Sequence, residues 1–273
     1  IDLAAIRANY RAVAALVGES VELLCVIKAN AYGHGAVEVA RALEQEGAPY
    51  FAVTRVEEAL PLREAGITTP ILLLAPAPRE ELAAVVEHDL TACIAQREDA
   101  EWLEKEAARQ DKTARAQLKI NTGMGRLGIE PDEAVALAAQ VRESPHLALE
   151  AAFTHFARAA GSAAEDDEVH AQFARFEALV DPVARAAQMD PRRFHCANSA
   201  AILRFPQMRL SRARPGTILY GQYPSPLCAT AGRAAGLKLQ EAFAVKARVI
   251  AIKELKPGQS VGYGGEWTAT KPA

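Results

Sequence analysis

Lys28 is the first residue of this 273-residue chain whose type and position suggest chemistry. It ends an apolar run containing Leu23, Leu24, Val26 and Ile27, and it is followed by small residues, Tyr32 and two glycines. Such a run reads as a buried strand, and the glycines open a helix. For a lysine at the mouth of a strand, partial desolvation or a neighbouring cation can favour the neutral amine, the form that makes a Schiff base with an aldehyde. The same lysine can also simply reach water along its aliphatic stem. Further along, Lys119 leads into the turn-rich TGMG and Arg126, and His155 closes another apolar run. Asn198 and Ser199 stand where a helix begins, and Arg214, Pro215, Gly216 and Thr217 follow the last run. Hydroxyls and unpaired backbone N–H groups at two such turns suit a phosphate, although either turn alone equally suits a plain helix cap.

These residues need a scaffold that brings them together. Strand-like apolar runs fall at 23–27, 50–53, 71–74, 91–94, 116–120, 149–155, 193–197 and 208–212. Helix-like segments fall at 1–17, 37–46, 56–65, 80–87, 98–109, 132–142 and 168–188. Alternation of this kind predicts an α/β chain with a parallel sheet. An open doubly wound sheet would carry G-x-G-x-x-G after its first strand, and Gly33 and Gly35 lack the third glycine. Eight units predict a (β/α)8 TIM-type barrel, with the candidate residues at the C-terminal mouths of strands one, five, six, seven and eight. After Gly221 the pattern changes to a proline-rich connector and then to alternating sequence over 239–255 and a glycine-rich SVGYGG. The expected domains are a barrel over 1–228 and the start of an all-β C-terminal domain over 229–273.

A net charge of −3, with no basic stripe on a helix face, argues against a nucleic-acid or anionic-membrane partner and leaves a small molecule as the substrate. Cys25, Cys93, Cys196 and Cys228 lie far apart, without metal-ligand spacing to histidine, which predicts no metal site and reduced thiols in a cytosolic protein. There is no leader pattern and no apolar run of the ~20 residues that a membrane span needs. The chain begins at Ile1 and stops within strand-like TATKPA, so it reads as part of a longer protein, truncated at the C-terminus.

VIKANAYGHG resembles the lysine signature of alanine racemases, which use pyridoxal 5'-phosphate (PLP). LKINTGMGRLG, FTHFA, HCANSAA, RPGTILYG and SVGYGG resemble further motifs of that family, in the family's order. The resemblance implies a fold-type III PLP enzyme that interconverts L- and D-alanine to supply D-alanine for peptidoglycan. It also implies a homodimer in which both subunits build each active site. Lys28 then corresponds to the lysine that carries PLP and acts as the base on D-alanine. Tyr263 corresponds to the opposite base, which serves L-alanine from the partner subunit. Arg126 resembles the residue that meets the substrate carboxylate, and Tyr32, Asn198, Ser199, Gly216 and Thr217 resemble cofactor-binding positions. Thr217 stands where the family often has Ile. Arg214 would face the pyridine nitrogen and His155 the ring, with Lys119, often carbamylated in the family, and His195 behind them. Other readings are another PLP barrel enzyme, namely a broad-specificity amino-acid racemase or a D-amino-acid aldolase or dehydratase, and a non-catalytic PLP-binding barrel. Because the family's remaining β domain supplies further contacts, this chain alone is expected to hold PLP weakly or not at all.

Overall fold

A computed structural model describes residues 1–273, which divide into two compact units, Ile1–Phe243 and Ala244–Ala273. In the first, eight short parallel strands alternate with helices: β1 (Glu22–Val26), β2 (Tyr50–Val53), β3 (Ile71–Leu73), β4 (Ala92–Ile94), β5 (Ala114–Lys119), β6 (Leu147–Phe153), β7 (Phe194–His195) and β8 (Arg212–Ala213). The ladders run β3-β2-β1-β8 and β4-β5-β6-β7. Two bridges, Leu72 with Thr91 and Asn198 with Arg214, join their ends, so the strands close in sequence order. Leu73 N–H donates to the Thr91 carbonyl at 2.9 Å and Arg214 N–H to the Ala197 carbonyl at 2.8 Å, which removes the free edges. The eight-stranded barrel expected from the sequence is thus formed.

Alternation along the strands divides two cores. Leu24, Val26, Tyr50, Ala52, Leu72, Cys93 and Phe153 form one apolar cluster, drawn from β1, β2, β3, β4 and β6. The intervening positions, among them Leu23, Cys25, Phe51, Val53, Ile71 and Leu73, join the larger cluster with the helices. The helix Leu3–Val17 shows why: Ile6, Tyr10, Val13 and Val17 recur at helical spacing and are buried, and the Asp2 carboxylate caps the Ala5 N–H at 3.0 Å. Fully burying a side chain of this size contributes ~1.5–3 kcal/mol.

Three sequence expectations shift. The eighth strand lies at Arg212–Ala213, not 208–212, because Pro206–Met208 forms a 3-10 turn that buries Met208. The alternating stretch 239–255 forms no strand: no second strand pairs with it, and Val245, Val249, Ile250 and Ile252 are exposed. Alternation gives a strand only where a neighbour satisfies the backbone. The compact unit ends at Phe243, so a boundary at 229 falls inside it, where the helix Pro226–Ala234 is capped by Ser225 and buries Cys228. Chain up to Ala242 is tied back by Asp2 N–H to the Ala242 carbonyl at 2.7 Å and by Asn9, whose amide pairs with Leu219 and Gln240.

The second unit holds one antiparallel pair, β9 (Ser260–Val261) and β10 (Trp267–Thr268), which fits the start of an all-β domain. No helix in the chain is long and apolar enough to cross a membrane.

Candidate active site

A cavity of about 220 Å³ opens where the C-terminal ends of the strands meet, lined by Lys28, Tyr32, His155, Asn198, Ser199, Arg214, Gly216 and Thr217 together with Val26 and Leu74. Eight residues singled out from the sequence therefore share one cavity.

Lys28 follows β1, and the chain beyond it does something that sequence periodicity could not indicate. Ala29, Asn30, Ala31 and Tyr32 all have positive φ, between 51° and 54°, making a left-handed turn before the helix Ala36–Gln45. Each such residue costs roughly 1–2 kcal/mol, so the turn must be held from outside. Glu58 Oε1 accepts the Ala29 N–H at 2.6 Å and Asn30 Oδ1 accepts the Ala36 N–H at 2.8 Å. The turn carries Tyr32 back over Gly216, where an added Cβ would lie 2.6 Å from the Tyr32 hydroxyl oxygen. A larger residue would push the Tyr32 side chain aside.

Ser199 and Gly216 meet across β7 and β8. Asn198 caps the helix Ser199–Arg204 by accepting the Ala201 N–H at 3.1 Å, and Ser199 Oγ accepts the Gly216 N–H at 2.8 Å. The Thr217 hydroxyl is buried without a protein partner. A buried hydroxyl of this kind normally has one.

Arg214 is 3% exposed and spends its side chain on the protein. Nη1 donates to His195 Nδ1 at 2.6 Å and to the His195 carbonyl at 3.2 Å. Nη2 donates to the Thr154 and Cys196 carbonyls at 2.6 and 3.0 Å and lies 3.5 Å from His155 Nδ1. An arginine has five N–H bonds. The four on the Nη atoms are engaged, which leaves Nε–H for the cavity. Burial pulls the Arg214 pKa down to about 10, still cationic at neutral pH. His155 is driven the same way, to about 3, first by burial and then by Arg214, Arg126, Lys119 and Lys28, so its imidazole is neutral.

Lys119, at the end of β5, donates to the Leu74 carbonyl at 2.6 Å. Burial lowers its pKa, reinforced by Arg126, Arg214 and Lys28, with no carboxylate beside it. Arg126 is exposed on the loop after β5. That loop is pinched by the Ile120–Ile129 bridge, and Asn121 Oδ1 accepts the Gly125 N–H at 2.9 Å inside it. Tyr263 belongs to the Ala244–Ala273 unit, in the 3-10 turn Tyr263–Gly265, with its side chain exposed.

Two glutamines escaped the sequence reading. Gln172 is buried in the helix Asp166–Ala187; it donates to the His155 carbonyl at 2.8 Å and to Thr122 Oγ1 at 3.3 Å, tying two mouth loops together. Gln117 is buried on β5 and meets His195. The signal for Gln117 was present: a polar residue two positions before Lys119, in an otherwise apolar strand run, points to the same face.

Residues 1–224 match the family described as alanine racemase, N-terminal domain. The chain belongs to the alanine racemase family. It is 40% identical to alanine racemase 1 of Caldanaerobacter subterraneus over 267 residues, 97% of this chain and 66% of that protein. It is likewise 40% identical to the alanine racemase of Carboxydothermus hydrogenoformans, over 99% of this chain and 71% of that one. The chain thus spans about two thirds of the length of these relatives. The solved alanine racemase of Clostridium difficile superposes with a TM-score of 0.90 at 34% identity, covering all of this chain and 70% of that one. The Bacillus anthracis alanine racemase, solved with bound L-Ala-P, gives 0.86 at 33%, covering all of this chain and 69% of that one.

Alanine racemases use PLP, and the residues present fit that group. The orphaned Thr217 hydroxyl, the Ser199 hydroxyl and the Cβ-free wall at Gly216 suit a phosphate. The free Arg214 Nε–H suits a ring nitrogen acceptor, and the Lys28 amine suits an aldehyde.

Proposed function

We propose that this chain serves a cytosolic, PLP-dependent alanine racemase that interconverts L- and D-alanine and supplies D-alanine for peptidoglycan. The observation that carries the reading is the single cavity in which Lys28, a hydroxyl-rich cradle and a buried Arg214 face one another. When bound, PLP supplies an electron sink that makes the α-hydrogen of an amino acid acidic.

The chain's own residues do the rest. Lys28 holds the cofactor covalently and, once free, moves the proton on one face of the substrate. Tyr263 of the partner subunit moves it on the other face, within a homodimer that shares its active sites. Inversion needs a proton donor and acceptor on opposite faces, and this pair supplies both. Tyr32, Asn198, Ser199, Gly216 and Thr217 hold the phosphate end. Arg126 orients the substrate carboxylate through its planar fork. Arg214 donates a hydrogen bond without giving up its proton, which moderates the electron sink and favours proton return over side reactions. Neutral His155 lies along the cavity wall. Lys119 carries a carbamate: burial favours its neutral amine, the form that adds to carbon dioxide, and the resulting anion answers the cationic surroundings.

The test is borohydride reduction of the protein mixed with PLP, followed by peptide mapping, since trapping is covalent and tolerates weak binding. Labelling at Lys28 is expected, and labelling elsewhere overturns the assignment. Solvent-deuterium exchange at the α-carbon of several amino acids, in the full protein, then separates an alanine racemase from a broad-specificity enzyme.

A further inference from the structure

We infer that Gln117 is a positioning residue that holds His195 in one tautomer and one orientation so that Arg214 is held in place. His195 is fully buried between two partners: its Nδ1 lies 2.6 Å from Arg214 Nη1 and its Nε2 lies 2.9 Å from Gln117 Oε1. A guanidinium has no lone pair to offer, so Nδ1 is the acceptor. A neutral imidazole carries a single N–H, which therefore sits on Nε2. Gln117 must then present its carbonyl, not its NH2 group.

The imidazolium is excluded by the same geometry, because Nδ1–H would point at Nη1–H. The charged groups acting on His195 are the cations Arg214 and Arg212, which together with burial keep the ring neutral. The ring is also stacked on Phe153, at 5.2 Å between centroids and 6° between planes, and the Arg214 guanidinium lies 5.4 Å from the same Phe153 ring. Stacking fixes the plane of the imidazole but leaves a half-turn about its own axis open. Arg214 on Nδ1 and Gln117 on Nε2 close that choice together, Gln117 from the side away from the cation.

The other half of the carboxamide shows that the carbonyl is what matters. Gln117 Nε2 is buried and has no partner, a loss that an apolar residue of equal shape would avoid. With His195 locked, the Nη atoms of Arg214 stay engaged and Nε–H stays turned to the cavity. The bearing of this lock on catalysis rests on the racemase reading, whereas the lock itself does not.

The experiment is long-range 1H–15N NMR of the imidazoles in the labelled full chain, comparing the parent with Q117M, with His195→Asn to assign the ring. Methionine matches the shape of glutamine and removes the unpaired amide, so the fold is retained. In the parent, Nε2 is expected to be protonated and Nδ1 bare from pH about 6 to about 8, a range in which an ordinary histidine titrates. A protonated Nδ1, or averaged nitrogens, in the parent overturns the inference whatever Q117M does. In Q117M the two nitrogens are expected to average as the ring loses its fixed orientation; a ring as well fixed as the parent's overturns the role of Gln117. In the full protein, Q117M is expected to lower kcat on the order of tenfold with KM little changed, in keeping with loss of one buried hydrogen bond behind Arg214. A lost lock with unchanged kcat removes the catalytic part. A lost lock in a protein that racemises no alanine sinks the racemase reading and leaves the lock standing.

Discussion

Replacing His155 with asparagine should flatten the dependence of stability on pH. In the folded chain burial and four cations hold this imidazole's pKa at about 3, whereas in the unfolded chain it returns to about 6.5. Above the unfolded value both states are neutral and the group has no effect. As pH falls between the two values the unfolded chain binds a proton that the folded chain does not, so stability is lost in that window. Integrating from pH 7 to pH 5 with these two values gives about 2 kcal/mol. That figure is an upper bound, because the ring borders a cavity that water can enter. His195, depressed in the same direction, is present in both proteins and cancels in the comparison. Urea unfolding followed by far-UV circular dichroism at pH 7, 6 and 5 provides the measurement. His155→Asn should lose up to about 2 kcal/mol less than the parent over that interval. Equal losses in the two proteins would refute the neutral, cation-facing imidazole.

Other perturbations read other parts of the molecule. Gly216→Ala places a methyl group 2.6 Å from the Tyr32 hydroxyl oxygen and should destabilise by about 1–3 kcal/mol, a loss relieved by adding Tyr32→Phe, whereas PLP binding should weaken and stay weak in the double variant because the Tyr32 hydroxyl belongs to the phosphate cradle; urea unfolding and fluorescence titration with PLP check this. Asn9→Ala removes hydrogen bonds of 2.7, 2.8 and 3.0 Å to Gln240 and Leu219, and should speed amide exchange across 237–243 at a stability loss of roughly 2–4 kcal/mol. Tyr263→Phe in the full protein should slow α-proton removal from L-alanine by ~100-fold or more and spare that from D-alanine, as deuterium exchange started from each isomer would show; equal losses contradict two bases.

Much of the scaffold was legible because it rests on local signals. Tyr50–Val53 is a short apolar run in the sequence and a four-residue strand in the fold, and the helix Leu3–Val17 follows its apolar spacing and its Asp2 cap. The cavity residues were legible as strand-end polar groups once eight strands had been counted. What resisted local reading is what long-range pairing creates. β8 is two residues long and exists because Glu22 and Leu23 pair with Arg212 and Ala213, so no periodicity could place it. The left-handed turn at Ala29–Tyr32 runs against the preference of Ala29, Ala31 and Tyr32, and Glu58, far along the chain, helps to hold it.

The amino-acid sequence by itself determined the alternating architecture, the lysine at the mouth of β1 and the family, because each is carried by residue type and order along the chain. Only the tertiary structure decided which N–H of Arg214 is free, which nitrogen of His195 carries the proton and why Gln117 is there. Those follow from donors and acceptors brought from β5, β6, β7 and β8 to within 3 Å or so of one another, and hydrogen-bond satisfaction is a property of that meeting and not of any one segment.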